Sequence, residues 1–126
     1  MIGRFTNIAG IEDPDLGIKR LKIKRWSTDN RGRGSGDLKI GSFCCLGKNI
    51  TIYLGGNHNI DCITTFPFGH IFKKQFPCSN RDEPFINHSK TNGDVIINDD
   101  VWIADNCTIM SGVTIGSGAI VANNSH

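Results

Sequence analysis

Aliphatic residues six positions apart constrain this chain more than any other feature. Ile97, Ile103, Ile109, Ile115 and Val121 keep that interval, and two residues before each stand Val95, Val101, Cys107, Val113 and Ala119. Neither a helix of 3.6 residues per turn nor a strand of period two produces a strict interval of six. A hexapeptide solenoid does: each unit is a short parallel strand and a turn, three units close a triangular coil, and coils stack because one alone cannot bury its inward face. The intervening residues suit tight or left-handed backbone, among them Asn98, Asp99, Asp100, Asp105, Asn106, Ser111, Gly112, Gly116, Ser117 and Gly118.

The same rhythm appears earlier in Ile40, Leu46 and Ile52, preceded by Leu38, Cys44 and Ile50. Its next member would be residue 58, and there Gly55-Gly56-Asn57 leads into His58 instead of an aliphatic residue. From 58 to 97 is 39 positions, not a multiple of six, so the coil cannot continue in phase between the two runs. That stretch carries Pro67, Pro77 and Pro84 with Phe66, Phe68, Phe72, Phe76 and Phe85. It is too proline-rich for regular strands and too apolar for a solvated linker. A long ordered loop of that kind is expected to be functional or to pack on the coil or a neighbouring subunit.

The expected organisation is therefore one all-β domain over residues 1–126. Residues 1–37 form an irregular basic part and an incomplete first coil, 38–58 a coil, 59–92 a loop excursion, and 93–126 the hexapeptide coils. Leu21 and Ile23 copy the paired spacing, but 23 to 40 is 17 rather than 18, which places an irregular corner around Gly32 to Gly36. A solenoid spends many positions on turns, which accounts for a hydrophobic share of only 38%. Self-association would help a core of this size.

Five cysteines without framework spacing read as free thiols in a reducing compartment, with Cys44 and Cys107 as small core residues. The start, Met1-Ile2-Gly3-Arg4-Phe5-Thr6, shows neither a secretory leader nor a membrane span, which makes the cytoplasm the expected location. Net charge is +2, yet Lys19, Arg20, Lys22, Lys24, Arg25, Arg31 and Arg33 cluster against Asp29 alone. The cluster is either a solvated edge or a surface for phosphates or an anionic glycan. Arg31-Gly32-Arg33-Gly34 is a single short copy without interleaved aromatics, so no nucleic-acid partner is expected.

Ile40-Gly41-Ser42-Phe43, Gly55-Gly56-Asn57-His58, Thr65-Phe66-Pro67-Phe68 and Asp100-Val101-Trp102-Ile103 together resemble the hexapeptide-repeat acyltransferases. Within these they resemble the xenobiotic acetyltransferase branch, which includes type B chloramphenicol and streptogramin enzymes and polysaccharide-locus O-acetyltransferases. The likeness spans roughly residues 36 to 125. It implies a left-handed parallel β-helix, a homotrimer with active sites at subunit interfaces, and acetyl-CoA as donor. The family's loop histidine matches His58, which would act as general base on an acceptor hydroxyl; histidine is the usual proton acceptor near neutral pH.

Asn57 and Asp61 are candidates to orient the base or hold the acceptor, and Tyr53, Phe66 and Phe68 to wall its pocket. Trp102, between two inward residues, should point outward; it either packs at an interface or, as the resemblance implies, lies along the donor groove, with Ala104, Gly116 and Ala122 giving a slender pantetheine arm room. His70 and His88 stand in the excursion without partners at recognisable spacing, and no metal is expected.

The Gly55 to Asp61 segment resembles polysaccharide-locus members more than the resistance enzymes, which implies a sugar or polysaccharide-precursor acceptor. The alternatives are an antibiotic acceptor and a non-catalytic β-helix protein. A third, γ-class carbonic anhydrase, needs a zinc-binding histidine triad that the repeats do not contain. Family members continue past the position of Ser125 with another coil, a turn carrying a lysine, and a helix. The residues here stop at His126, so weaker coenzyme binding and an uncapped coil are expected. Ala104 stands where the family commonly has glycine.

Overall fold

A computed structural model describes residues 1–25, 35–58, 60–61, 63–66, 72, 74–75 and 89–126. The chain visits three parallel sheets in rotation. The first face stacks Leu38–Ile40, Val95–Ile97 and Thr114–Ile115, with Ile2 bridged to Ile40. On the second lie Asn7–Ile8, Cys45–Leu46, Trp102–Ile103 and Ile120–Val121. The third carries Lys22–Lys24, Thr51–Tyr53 and Thr108–Ile109. Register is set by the repeat itself, so that Ile40 lies beside Ile97, Leu46 beside Ile103 and Ile52 beside Ile109.

Both aliphatic registers fill the interior. Ile8, Leu38, Ile40, Cys44, Leu46, Ile50, Ile52, Val95, Ile97, Val101, Ile103, Cys107 and Ile109 are buried. At Val113 and Ala119 the pattern loosens: Val113 is exposed and Ala119 only partly buried. Thr6 is also buried, and its hydroxyl is satisfied by donating to the Gly41 carbonyl at 2.7 Å and accepting from the Cys44 amide at 3.2 Å.

The turns repeat as strictly as the core. Backbone φ is positive at Asp100, Asn106, Gly112, Gly118 and Asn124, again six apart, and at Phe43 and Asn49 in the preceding coil. Asparagine, aspartate and glycine tolerate that conformation well. Phe5 and Phe43 do not, and they stack on each other with ring centroids 5.4 Å apart.

Side chains of one coil also cap the corners of the coil before it. The Asp99 carboxylate accepts from the Ser42 amide and the Asp105 carboxylate from the Lys48 amide, both at 2.7 Å, while Asn49 donates to Asn106 at 2.8 Å. The Asp94 carboxylate takes the Asp37 amide at 2.9 Å and pairs with Lys39 at 3.0 Å. The Asp37 amide first, then the Lys39 ammonium, hold its carboxyl below the ordinary carboxylate range.

Close stacking leaves no room for a methyl at Gly47, where a Cβ would collide with the Asp105 carboxylate and the Ala104 backbone. Gly47→Ala is expected to cost about 1–3 kcal/mol of stability in denaturant unfolding. Gly116→Ala, whose Cβ would meet nothing within 4 Å, is the near-neutral comparison. Equal effects at the two positions would contradict the packing argument.

Two irregular segments leave the coil. Between the strands Asn7–Ile8 and Lys22–Lys24 the chain detours through a helix at Pro14–Gly17 and a 3-10 turn at Ile18–Arg20. Asp13 caps that helix by accepting from the Asp15 amide, and Pro14 opens it. The second departure begins in an antiparallel ribbon, with Asn57 opposite Lys90 and His58 opposite Ser89. No helix among the described residues is long and apolar enough to cross a membrane. Cys44 and Cys107 are buried free thiols and Cys45 an exposed one; Cys62 and Cys78 lie outside the described residues.

Candidate functional site

Asn57 and His58 leave the prism at the corner between its third and first faces, directly after the turn Leu54-Gly55-Gly56. Three contacts pin this neck to the coil. Asn57 donates to the Ser111 hydroxyl at 3.3 Å, the Asn92 amide donates to the same oxygen at 3.1 Å, and Thr91 donates to the Leu54 carbonyl at 2.7 Å. Ser111 is almost fully buried, so one hydroxyl ties the outgoing and returning strands to the same corner.

The His58 ring is exposed, and its Nδ1 lies 3.0 Å from the Thr65 carbonyl oxygen. A carbonyl oxygen only accepts, so this contact selects the ring form protonated at Nδ1 and leaves the lone pair of a neutral imidazole on Nε2. Such a ring is oriented to take a proton at Nε2. The Asp61 carboxylate, on the same segment, pairs with Lys90 at 3.3 Å.

Phe66 stacks with Phe72, centroids 6.5 Å apart and planes within 8°. Ile60, Ile63 and Phe72 are exposed nearby in sequence, which gives the segment an apolar outer surface. Tyr53 is half-buried on the third face, opposite Lys24, and precedes the same corner. Phe68, His70 and His88 lie outside the described residues.

The other predicted residues gather elsewhere. Trp102, 51% exposed, points outward from the second face between Cys45 and Ile120. Ala104 and Ala122 follow that face at one corner, joined through the Ala104 amide and the Val121 carbonyl, and Ala104 is buried whereas Ala122 is exposed. Gly116, exposed, lies at the corner before it. In a three-sided coil the second face is opposite the corner that bears His58. Trp102 on that face and His58 at that corner therefore face away from each other within one chain.

Ser111, Thr65, Lys90 and Thr91 were not singled out from the sequence as site residues. Ser111 reads there as a turn residue, and Thr65 contributes only its backbone carbonyl, which no side-chain pattern announces. Among the described residues, no group of three or more histidine, cysteine, aspartate or glutamate side chains is placed to hold a metal ion.

Residues 94–126 match the family model described as Bacterial transferase hexapeptide (six repeats). The match is confined to the last coils and marks a hexapeptide repeat of the transferase type there. A comparison with curated proteins finds no match.

Proposed function

We propose that the protein transfers the acetyl group of acetyl-CoA to a hydroxyl of a sugar or polysaccharide precursor, by direct attack with His58 as general base. The observation that carries this reading is the contact of His58 Nδ1 with the Thr65 carbonyl, at a neck of chain fastened to a hexapeptide coil. Nε2 takes the proton of the acceptor hydroxyl as its oxygen bonds to the thioester carbonyl carbon. The carbon–sulfur bond then breaks, the thiolate leaves with the electron pair, and the imidazolium returns the proton. No acyl-enzyme is needed, and holding both substrates in reach supplies much of the remaining rate.

On this reading Asn57, Asp61, Tyr53, Phe66 and Phe68 belong to the acceptor side, and Trp102, Ala104, Gly116 and Ala122 to the pantetheine arm of the donor. Because the second face is opposite the His58 corner, a complete site takes the two sides from different copies of the chain. That requirement calls for an assembly, which on the family resemblance is a homotrimer of left-handed β-helices. A cytoplasmic location suits both the donor and the buried free thiols Cys44 and Cys107.

Release of coenzyme thiol from acetyl-CoA, measured with sugars, nucleotide sugars and chloramphenicol- or streptogramin-type acceptors, tests the proposal. Thiol release dependent on a sugar is the expected result. Release with the antibiotics alone would move the acceptor class, and none with any acceptor would favour a non-catalytic coil.

A further inference from the structure

The helical detour between Ile8 and Lys22 does more than connect two faces. Packed over Ile8, it lets Arg20, at the end of the 3-10 turn, meet Lys22 and the corner residues Lys48 and Asn49 of the next coil. Together with Ala9 and Ile11 they line a cavity of about 460 Å³, within the range of small-molecule sites. Most such sites are mainly apolar; here four of the six described lining residues are polar and three are cationic.

Among the described residues, no carboxylate lines this cavity and none of Arg20, Lys22 and Lys48 belongs to an ion pair. Arg25, Lys39 and Lys90, elsewhere on the surface, each have an aspartate partner. Arg25, from the same basic run, turns to Asp37 and the Gly36 carbonyl instead, and Arg31 and Arg33 lie outside the described residues. One wall of the cavity is fixed in advance: Lys22 Nζ donates to the Asn49 side-chain oxygen, the Asn49 amide nitrogen donates to Asn106, and the Lys48 amide is held by Asp105.

Three gathered cations repel one another unless an anion joins them. A monocarboxylate would offset one of the three charges. A diphosphate carries two to three charges and oxygens for both an arginine fork and lysine ammonium groups. We propose that this cavity is a binding site for the diphosphate group of a small soluble molecule, distinct from the His58 corner and independent of whether that corner is catalytic.

Calorimetric titration of the full chain with inorganic pyrophosphate at low ionic strength tests the proposal without requiring turnover. Orthophosphate, acetate, a nucleoside diphosphate and vesicles of anionic phospholipid serve as comparison ligands. One pyrophosphate per chain is expected, bound more tightly than acetate and matched or exceeded by the nucleoside diphosphate. Lys22→Gln and Lys48→Gln are each expected to weaken it about tenfold, as loss of one charged hydrogen bond would. Lys39→Gln, which removes a cation on the first face, should change nothing. The assignment is overturned by absence of pyrophosphate binding, by equal losses in all three variants, or by binding to vesicles alone. Unfolding midpoints close to the parent protein show that the exposed substitutions left the fold intact.

Discussion

His58→Ala is expected to lower acetyl transfer by about a hundredfold to ten-thousandfold, the range supplied by one positioned general base. The ring is exposed, and its contact with the Thr65 carbonyl lies within the excursion rather than the packed interior, so the coil should survive its loss. Coenzyme binding should survive as well, because His58 is not among the proposed donor residues. The loss should therefore fall on turnover rather than on acetyl-CoA affinity. Mixing His58→Ala chains with Trp102→Ala chains sharpens the experiment. If each site takes one side from each of two copies, mixed assemblies recover activity that neither variant has alone. Full turnover by His58→Ala would remove the proposed base.

The largest effect on stability is expected at Leu46. It is 1% exposed and sits on the second face between Ile8 and Ile103, one coil below and one above. Leu46→Ala should cost about 2–5 kcal/mol, the transfer term plus the cavity it leaves. Domains of this kind hold only about 5–15 kcal/mol in total. Repeat arrays depend on contacts between neighbouring units, so the loss falls on the junction of the first coil with the rest. Denaturant unfolding should show an earlier midpoint, and a shift worth less than about 1 kcal/mol would contradict the burial.

The sequence was legible where one physical constraint repeated without interruption. Ile40, Leu46 and Ile52, and again Ile97, Ile103, Ile109 and Ile115, are buried at every sixth position, and a wrong residue there leaves a hole between coils. His58 was legible for the inverse reason, as the place where that constraint lapses. Ile2 and Ile8 obey the same rule, pairing with Ile40 and Leu46, yet residues 1–37 read as irregular apart from an incomplete first coil. Two rungs are too few to show a period, and the helix at Pro14–Gly17 throws the next rung, Ile23, out of phase. Asp13-Pro14 was the available sign of that helix.

Two contacts at the candidate site were not legible in the sequence. Thr65 acts through its carbonyl, and Ser111 acquires its role because coil stacking brings it under both strands of the neck. The basic cavity was half visible: Arg20 and Lys22 stood out in a charged run, while Lys48 belongs to the next coil and joins them only in three dimensions.

The capping carboxylates at Asp94, Asp99 and Asp105 belong to the coil that follows the excursion and fasten it to the coil that precedes it. The gap across which residues 59–92 must close is therefore fixed by the coils, whatever the loop contains. Closing a longer loop over a fixed gap costs little, about 0.6 kcal/mol for each doubling of length. Such a segment is open to evolutionary replacement: its length and composition can change while the prism that carries it keeps its register.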